Sequence, residues 1–158
     1  MDFALFFTYI AACGAAAATG AMFMPGDWYK ALDKPWWTPK DWMFPVAWTI
    51  LYISIAVAAM RVAMVAGSDG RSGQALAFWT VQIALNTLWT PVFFGLRRIR
   101  AGLIVLCLLW IAVAATLVSF WPIDPLAGWL FVPYLLWVTI AGALNASVWM
   151  RNPGVASG

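Results

Sequence analysis

Five long apolar stretches constrain the fold of this chain more than any motif does. Each contains about 20 residues or more, and a helix of that length, rising about 1.5 Å per residue, crosses a hydrocarbon layer about 30 Å thick. Only 9% of the residues are charged, which leaves almost no soluble mass. The sequence predicts a single domain over residues 1–158, an all-α integral membrane protein built as a bundle of five transmembrane helices, at about 3–24, 43–65, 75–95, 101–121 and 126–150.

The first stretch is apolar and rich in alanine, as a cleaved secretory signal is. Ahead of the stretch the sequence has only Asp2 as a charged residue, so we find no basic segment of the kind that a signal has there. The stretch is also longer than the usual apolar core of a signal. We therefore expect it to remain as a mature transmembrane helix.

Basic residues are distributed unevenly between the two ends of the predicted helices. If the helices alternate in direction, Arg61 and Arg71 fall on one side, and the positive-inside rule makes the other, more basic side cytoplasmic. The C-terminus is then cytoplasmic. Because topology explains these charges, we expect no nucleic-acid partner. The basic residues of the cytoplasmic side are Lys30, Lys34, Lys40, Arg97, Arg98, Arg100 and Arg151.

The residue types that most enzymes and metal sites need are scarce. The chain has no histidine and no glutamate, and its six aspartates lie outside the apolar stretches. Cys13 and Cys107 occupy different stretches and show no CxxC spacing. We therefore expect no metal site, no resident cofactor and no conventional acid–base catalysis. Residues 67–73 do not match a phosphate-binding loop and predict a flexible connection.

Amide side chains occur inside the apolar stretches, where an unpaired amide is costly. Gln82 and Asn86 are one turn apart on the third predicted helix, Trp89 follows, and Pro91 interrupts the backbone hydrogen bonding. Asn145 lies inside the fifth predicted helix. The amides must face other helices or a cavity, and periodicity alone favours hydrogen bonds between helices over a ligand cavity.

Aromatic residues also lie deep inside the stretches. Trp48 and Tyr52 are spaced to stack at i, i+4 on the second predicted helix. Tryptophan at membrane boundaries is ordinary, but Trp48 and Trp137 lie several residues further in, which favours a wall of a ligand cavity. On the fifth predicted helix, one stripe holds Tyr134, Trp137, Ala141 and Asn145.

The chain contains 12 tryptophans in 158 residues, and indole suits both membrane interfaces and pockets for flat conjugated ligands. Three segments resemble, in order and over nearly the whole chain, the TspO family of tryptophan-rich sensory and translocator proteins, also called the peripheral benzodiazepine receptor family. The bacterial branch is the most similar. The matching residues include Trp28, Tyr29, Leu32, Lys34, Pro35, Trp37, Pro39, Trp42, Phe44, Pro45, Trp48, Tyr52, Gln82, Asn86, Trp89, Pro91, Phe93, Phe94, Gly95, Pro133, Tyr134, Trp137, Ala141, Leu144 and Asn145.

The resemblance implies a membrane receptor or sensor that binds porphyrins, such as protoporphyrin IX, and related hydrophobic ligands inside the bundle. Trp48 and Trp137 match tryptophans linked in bacterial members to light- and oxygen-dependent porphyrin degradation, which would be the only catalytic activity. A transporter of tetrapyrroles or lipids and a structural or regulatory scaffold remain as alternatives. The implied ligand-binding residues are Trp28, Tyr29, Trp37, Trp48, Asn86, Trp89, Tyr134, Trp137, Ala141 and Leu144.

The resemblance also implies a homodimer. On the first predicted helix, Gly14 with Ala18 and Ala16 with Gly20 form small-residue pairs that allow close helix approach. The same pairs would also suit packing within one bundle. Family precedent favours a dimer through the first and third predicted helices.

The sterol motif of the family is incomplete here. It requires a tyrosine before a basic residue, and animal members have it just after the Leu-Asn pair, where this chain has Ala146 and Ser147. We therefore do not expect high-affinity cholesterol binding. Helix physics favours the inner membrane, whereas the family includes outer-membrane members, so both membranes remain open.

Overall fold

The computed structural model describes residues 2–65 and 70–155, and the regular structure within them is helical. A short helix, α2 (Asp27–Ala31), lies in the loop between α1 and α3, and a π-helical turn, Pro91–Gly95, continues α4. The all-α fold with five long helices is confirmed. These helices are α1 (Phe3–Met22), α3 (Met43–Met64), α4 (Arg71–Thr90), α5 (Ile99–Phe120) and α6 (Pro125–Arg151).

Four of the long helices, α1, α3, α5 and α6, are long and apolar enough to cross a membrane by length and composition. Helix α4 has 20 residues but is more polar, in part because it contains Gln82 and Asn86. Both amides are buried within the bundle, so they are not presented to lipid. Its length and the burial of its amides are therefore compatible with a further membrane span, in addition to the other four helices.

Helix α4 also departs most from its predicted boundaries. It begins at Arg71 rather than at residue 75, because polar side chains such as Ser72 are tolerated in a first helical turn that an apolar pattern does not reveal. The predicted flexible connection over 67–73 is therefore wrong from Arg71 onward, and residues 66–69 lie outside the described chain. Pro91 ends the α-helical ladder as predicted, and the N–H of Leu96 donates to the Pro91 carbonyl at 2.8 Å.

The five long helices close into a ring. Helix α6 packs against α3 and α5, α5 packs against α4, and α1 contacts both α3 and α4. Ala56, Ala58 and Ala59 of α3 are fully buried, which lets the neighbouring backbones approach closely. Helix α1 is the least buried, with Cys13 and Ala16 as its only buried residues.

An ion pair joins α3 to the start of α6 at the end of the bundle away from the α1–α3 loop. Arg61 Nη2 lies 2.8 Å from Asp124 Oδ2, while Asp124 Oδ1 caps α6 by accepting from the Ala127 N–H at 3.1 Å. Burial alone would raise the pKa of Asp124. The Ala127 N–H and the Arg61 guanidinium outweigh it, so the pKa lies below its ordinary value.

This lowered pKa predicts a pH dependence of stability. The contribution of the Asp124 carboxylate is present above its unfolded pKa of about 3.9 and is lost as the pH falls through the lower folded pKa. Asp124→Asn can still cap α6 but cannot pair with Arg61. Because the guanidinium is partly solvent-screened, we expect the variant to lose on the order of 1 kcal/mol at pH 7.

Thermal unfolding in one detergent, from pH 7 to pH 3, checks this expectation. The melting temperature of the unmodified protein should fall more steeply below about pH 4 than that of Asp124→Asn. Parallel curves for the two proteins would contradict it.

Candidate functional site

A buried hydrogen-bond network joins α3, α4 and α6. The Tyr52 hydroxyl donates to Asn86 Oδ1 at 2.9 Å, and Asn86 Nδ2 donates to the Tyr134 hydroxyl at 2.7 Å. The Tyr134 hydroxyl in turn donates to Gln82 Oε1 at 2.9 Å. Two of the predicted intramembrane amides therefore bond between helices, and Gln82 Nε2 is left buried without a partner among the described residues.

The third amide, Asn145, joins α6 to α5. In the amide orientation that satisfies both atoms, its nitrogen donates to the Ile99 carbonyl at 3.1 Å and its oxygen accepts from the Leu103 N–H at 3.3 Å. Asn145 is buried, and these bonds hold it against the first turns of α5. It is therefore a structural link rather than part of a cavity wall.

A small cavity, here called the inner cavity, lies beside Asn86. Its volume is about 20 Å³, far below the roughly 300–1,000 Å³ of typical ligand pockets. One of its walls, Trp89, has a buried indole N–H without a partner in the described chain. The inner cavity is lined by Phe44, Trp48, Asn86, Trp89, Leu106, Leu109, Trp137, Val138 and Ala141.

The aromatic walls of the inner cavity are held by ring contacts. Trp48 stacks on Tyr52 as predicted, with ring centroids 5.2 Å apart. Trp137 lies edge-on to Trp48 at 6.4 Å, with an interplanar angle of 86°, and Phe44 contacts Trp137 at 5.7 Å. The two indoles thus present nearly perpendicular faces.

Another apolar cluster, here called the Phe93 layer, lies nearer the α1–α3 loop and is organised by Phe93 in the π-helical turn. Phe93 stacks on Trp89 with centroids 5.3 Å apart, and Trp28 and Tyr29 meet it edge-on at 5.8 and 6.1 Å. Leu144 belongs to the same buried cluster. Through Phe93 this layer connects the short helix α2 to the wall of the inner cavity.

The α1–α3 loop is tied to the end of α6. The Asp33 N–H donates to Asn152 Oδ1 at 3.0 Å, and Asn152 Nδ2 donates to the Asp33 carbonyl at 2.9 Å. Arg151 adds an ion pair to Asp33 at 3.6 Å. Within the loop, Lys34 Nζ donates to the Tyr29 carbonyl at 2.7 Å. These bonds form a latch that holds the loop across this end of the bundle.

A larger depression, here called the outer groove, lies between the α1–α3 loop and the outer face of α6. Its volume is about 730 Å³. Trp137 lines both the outer groove and the inner cavity, so this side chain separates them. The outer groove is lined by Trp36, Trp37, Thr38, Pro39, Lys40, Met43, Trp137, Thr139, Ile140 and Ala143.

The structure divides the predicted site residues between these regions. Tyr134 stands behind the inner cavity in the hydrogen-bond network, Trp37 lies in the outer groove, and Trp28, Tyr29 and Leu144 form part of the Phe93 layer. The predicted site residues that line the inner cavity are Trp48, Asn86, Trp89, Trp137 and Ala141.

Four residues of the inner cavity were not predicted. Leu106 and Leu109 are ordinary leucines in an apolar stretch and give no sequence signal. Phe44 precedes Trp48 by one helical turn, and this spacing could have placed it beside the cavity. Val138 follows Trp137 directly in the chain and so does not belong to the predicted stripe on α6, which is why it was missed.

Residues 6–150 match the profile of the TspO/MBR family. The chain belongs to this family. It is 56% identical over 154 residues to Protein CrtK of Rhodobacter capsulatus, covering 98% of this chain and 96% of the relative. It is also 56% identical over 152 residues to a tryptophan-rich sensory protein of Cereibacter sphaeroides, covering 96% and 94%. Human translocator protein is 36% identical over 143 residues, covering 88% and 85%.

Family membership confirms the resemblance seen in the sequence and establishes the topology class. TspO/MBR proteins are bundles of five transmembrane helices, so the chain is a multi-pass membrane protein in which α4 also spans the membrane, as the third span in chain order.

The hydrogen-bond network predicts unequal costs for removing its two tyrosine hydroxyls. Tyr52→Phe takes one donor from Asn86, whereas Tyr134→Phe strands both Asn86 Nδ2 and Gln82 Oε1. We expect Tyr52→Phe to cost on the order of 1 kcal/mol and Tyr134→Phe more, because buried groups left unpaired pay their full desolvation penalty. Unfolding of the two variants in the same detergent measures the difference, and equal losses would contradict the geometry.

Proposed function

We propose that this protein is a membrane receptor or sensor that binds porphyrins and related hydrophobic ligands at the inner cavity and promotes their light- and oxygen-dependent degradation. The observation that supports this most is the pair of nearly perpendicular indoles, Trp48 and Trp137, on one cavity wall. Ala141 lines the same cavity, and its small side chain would let a flat ligand approach Trp137 once the cavity has expanded. Membership of a family that includes tryptophan-rich sensory proteins agrees with this role.

Binding requires the inner cavity to expand, because about 20 Å³ holds no macrocycle. Four of the nine lining residues are aromatic and the others, apart from Asn86, are aliphatic, so the walls can separate without leaving a charge unpaired. The unpartnered Trp89 indole N–H offers a donor to a ligand acceptor. The ligand therefore binds an opened minor state and shifts the population toward it.

The proposed chemistry needs no acid or base from the protein. The porphyrin absorbs light and molecular oxygen supplies the oxidant, while Trp48 and Trp137 contact the macrocycle, one with its face and the other with its edge, and are themselves readily oxidised. Both residues line the inner cavity, so the degradation is confined to bound ligand.

Replacing both indoles tests this role. Trp48→Phe with Trp137→Phe keeps apolar aromatic faces, so we expect the porphyrin affinity to stay within about tenfold of the parent. Degradation in light should fall sharply, because phenyl resists oxidation. Porphyrin titration in the dark, followed by illumination while the porphyrin absorption band is recorded, gives both quantities. Undiminished degradation in the double variant would refute the assigned role.

Transport of tetrapyrroles or lipids is the second candidate. The π-helical turn Pro91–Gly95 and Pro133 inside α6 are interruptions of the kind that transporters use. Porphyrin flux into sealed vesicles that contain the protein would favour this candidate over a receptor.

We further propose that the latched end of the bundle, which includes Arg97, Arg100 and Arg151, faces the cytoplasm, in accord with the positive-inside rule. Protease cleavage of a tag added after the C-terminus, in vesicles of known orientation, checks this. The bundle would fit either the inner or the outer membrane.

A homodimer is the proposed assembly. Gly14 and Ala18 lie exposed on α1, and nothing lies within 4 Å of a side chain added at Gly14. Their small size would admit a second copy of α1 closely. Ala16 is instead buried within the bundle. Gly14→Leu should lower the dimer fraction measured by light scattering in detergent, whereas an unchanged fraction would place the interface elsewhere.

A further inference from the structure

The outer groove opens toward the bilayer. Its floor includes Ile140 and Ala143, which are exposed on α6. They precede Arg151 by 11 and 8 positions, which places them roughly 16 and 12 Å from that end of the helix at about 1.5 Å per residue. The groove volume of about 730 Å³ falls in the range of ligand sites. A molecule dissolved in the membrane can therefore reach the groove without crossing water.

The lining of the groove suits a flat, apolar molecule with an acidic group. Trp36, which is 94% exposed, and Trp37 offer indole faces. At the loop side of the groove, the Lys40 ammonium makes no hydrogen bond or ion pair with any residue in the ranges 2–65 and 70–155, whereas the Lys40 backbone carbonyl accepts from the Met43 N–H at 2.8 Å. An unpaired ammonium beside an apolar surface complements a carboxylate on a hydrophobic body.

Trp137 is the wall between the outer groove and the inner cavity. Its ring is held by edge contacts to Phe44 and Trp48, and no hydrogen bond ties its indole to another described residue. Rotation of this side chain therefore breaks only apolar contacts. Such a rotation would join the two spaces.

Entry from the end of the bundle faces stronger restraints. The latch holds the loop to α6 through two hydrogen bonds between Asp33 and Asn152 and an ion pair to Arg151. Lifting the loop would break all three interactions, whereas the route past Trp137 breaks none of them.

We propose that the outer groove is a lateral entry site through which a carboxylated porphyrin passes from the bilayer into the inner cavity. Lys40 binds a carboxylate at the rim, the indoles of Trp36 and Trp37 hold the macrocycle, and Trp137 turns aside to admit it. This inference rests on the proposed function and adds the route and the residue that selects acidic ligands.

The test measures porphyrin association and dissociation rates in phosphatidylcholine vesicles, using a dicarboxylic porphyrin and its dimethyl ester. Ala143→Phe narrows the groove floor. Because an entry route changes the barrier and not the end states, both rates should fall by at least about tenfold while the affinity stays within about twofold. Leu136→Phe is the matched control, since Leu136 lies on the same exposed face of α6 outside the groove, and its rates should be unchanged.

Two further variants separate the alternatives. Lys40→Gln should slow association of the diacid by about threefold or more and leave the ester unaffected, because it removes only the charge. Because Lys40 lies in the loop and not in a helix, Lys40→Gln still tests the groove if Ala143→Phe fails to fold. Asn152→Ala releases the latch. Because the latched loop also carries Trp36, Trp37 and Lys40 of the groove, lateral entry predicts unchanged or slower association, whereas entry from the end of the bundle predicts faster association.

Unchanged rates in Ala143→Phe, or faster association in Asn152→Ala, would overturn lateral entry. Equal effects of Lys40→Gln on diacid and ester would overturn the role of Lys40. If Ala143→Phe slowed association of a saturated fatty acid as much as it slows association of the porphyrin, the assignment of the groove to a flat macrocycle would be overturned. Failure of the unmodified protein to bind either porphyrin at equilibrium would instead refute the proposed function, so the two failures are distinguishable.

Discussion

The shared hydrogen bonds of Tyr52, Asn86, Tyr134 and Gln82 set the relative positions of α3, α4 and α6. Apolar side chains in lipid gain little from contacting one another rather than acyl chains, so packing alone gives weak control of helix register. Buried hydroxyls and amides have few acceptable partners, and each one found fixes a distance and a rotation between two helices. The inner cavity forms beside this network because most of its walls are the next residues along the same helices, and Leu106 and Leu109 of α5 complete it.

The fold was largely predictable because its determinants are local. A stretch of about 20 apolar residues has few stable forms in a bilayer, and four of the five predicted helices end within two residues of their actual limits. Helix α2 was missed because five residues hold no periodicity that distinguishes a helix from a loop. The polar first turn of α4 was missed for a related reason, since an apolar pattern marks the membrane core and not the helix.

The site was predictable only in part because its determinants are long-range. Family resemblance indicated the residues, and helical spacing indicated that Trp137 and Ala141 share a face. Nothing in the sequence shows that Trp48 and Trp137 meet at a right angle, or that Trp137 separates two spaces of very different volume. The pairing of Arg61 with Asp124 was equally hidden, because an arginine near a helix end is explained without a partner by reaching toward the interface.

That ion pair makes the two ends of the bundle mechanically unequal. At one end, a charged pair and a helix cap fix α3 against the start of α6. At the other end, α3 begins beside the middle of α6, at Phe44 and Trp137, and only the loop connects it to the last turn. A separation of α3 from α6 would therefore pivot about Arg61 and Asp124 and would strain the bonds of Asn86 to Tyr52 and Tyr134, and the displacement would grow with distance from the pivot. Trp48 and Trp137 lie far from that pivot, so a small change in the tilt of α3 against α6 opens the cavity most at these two indoles.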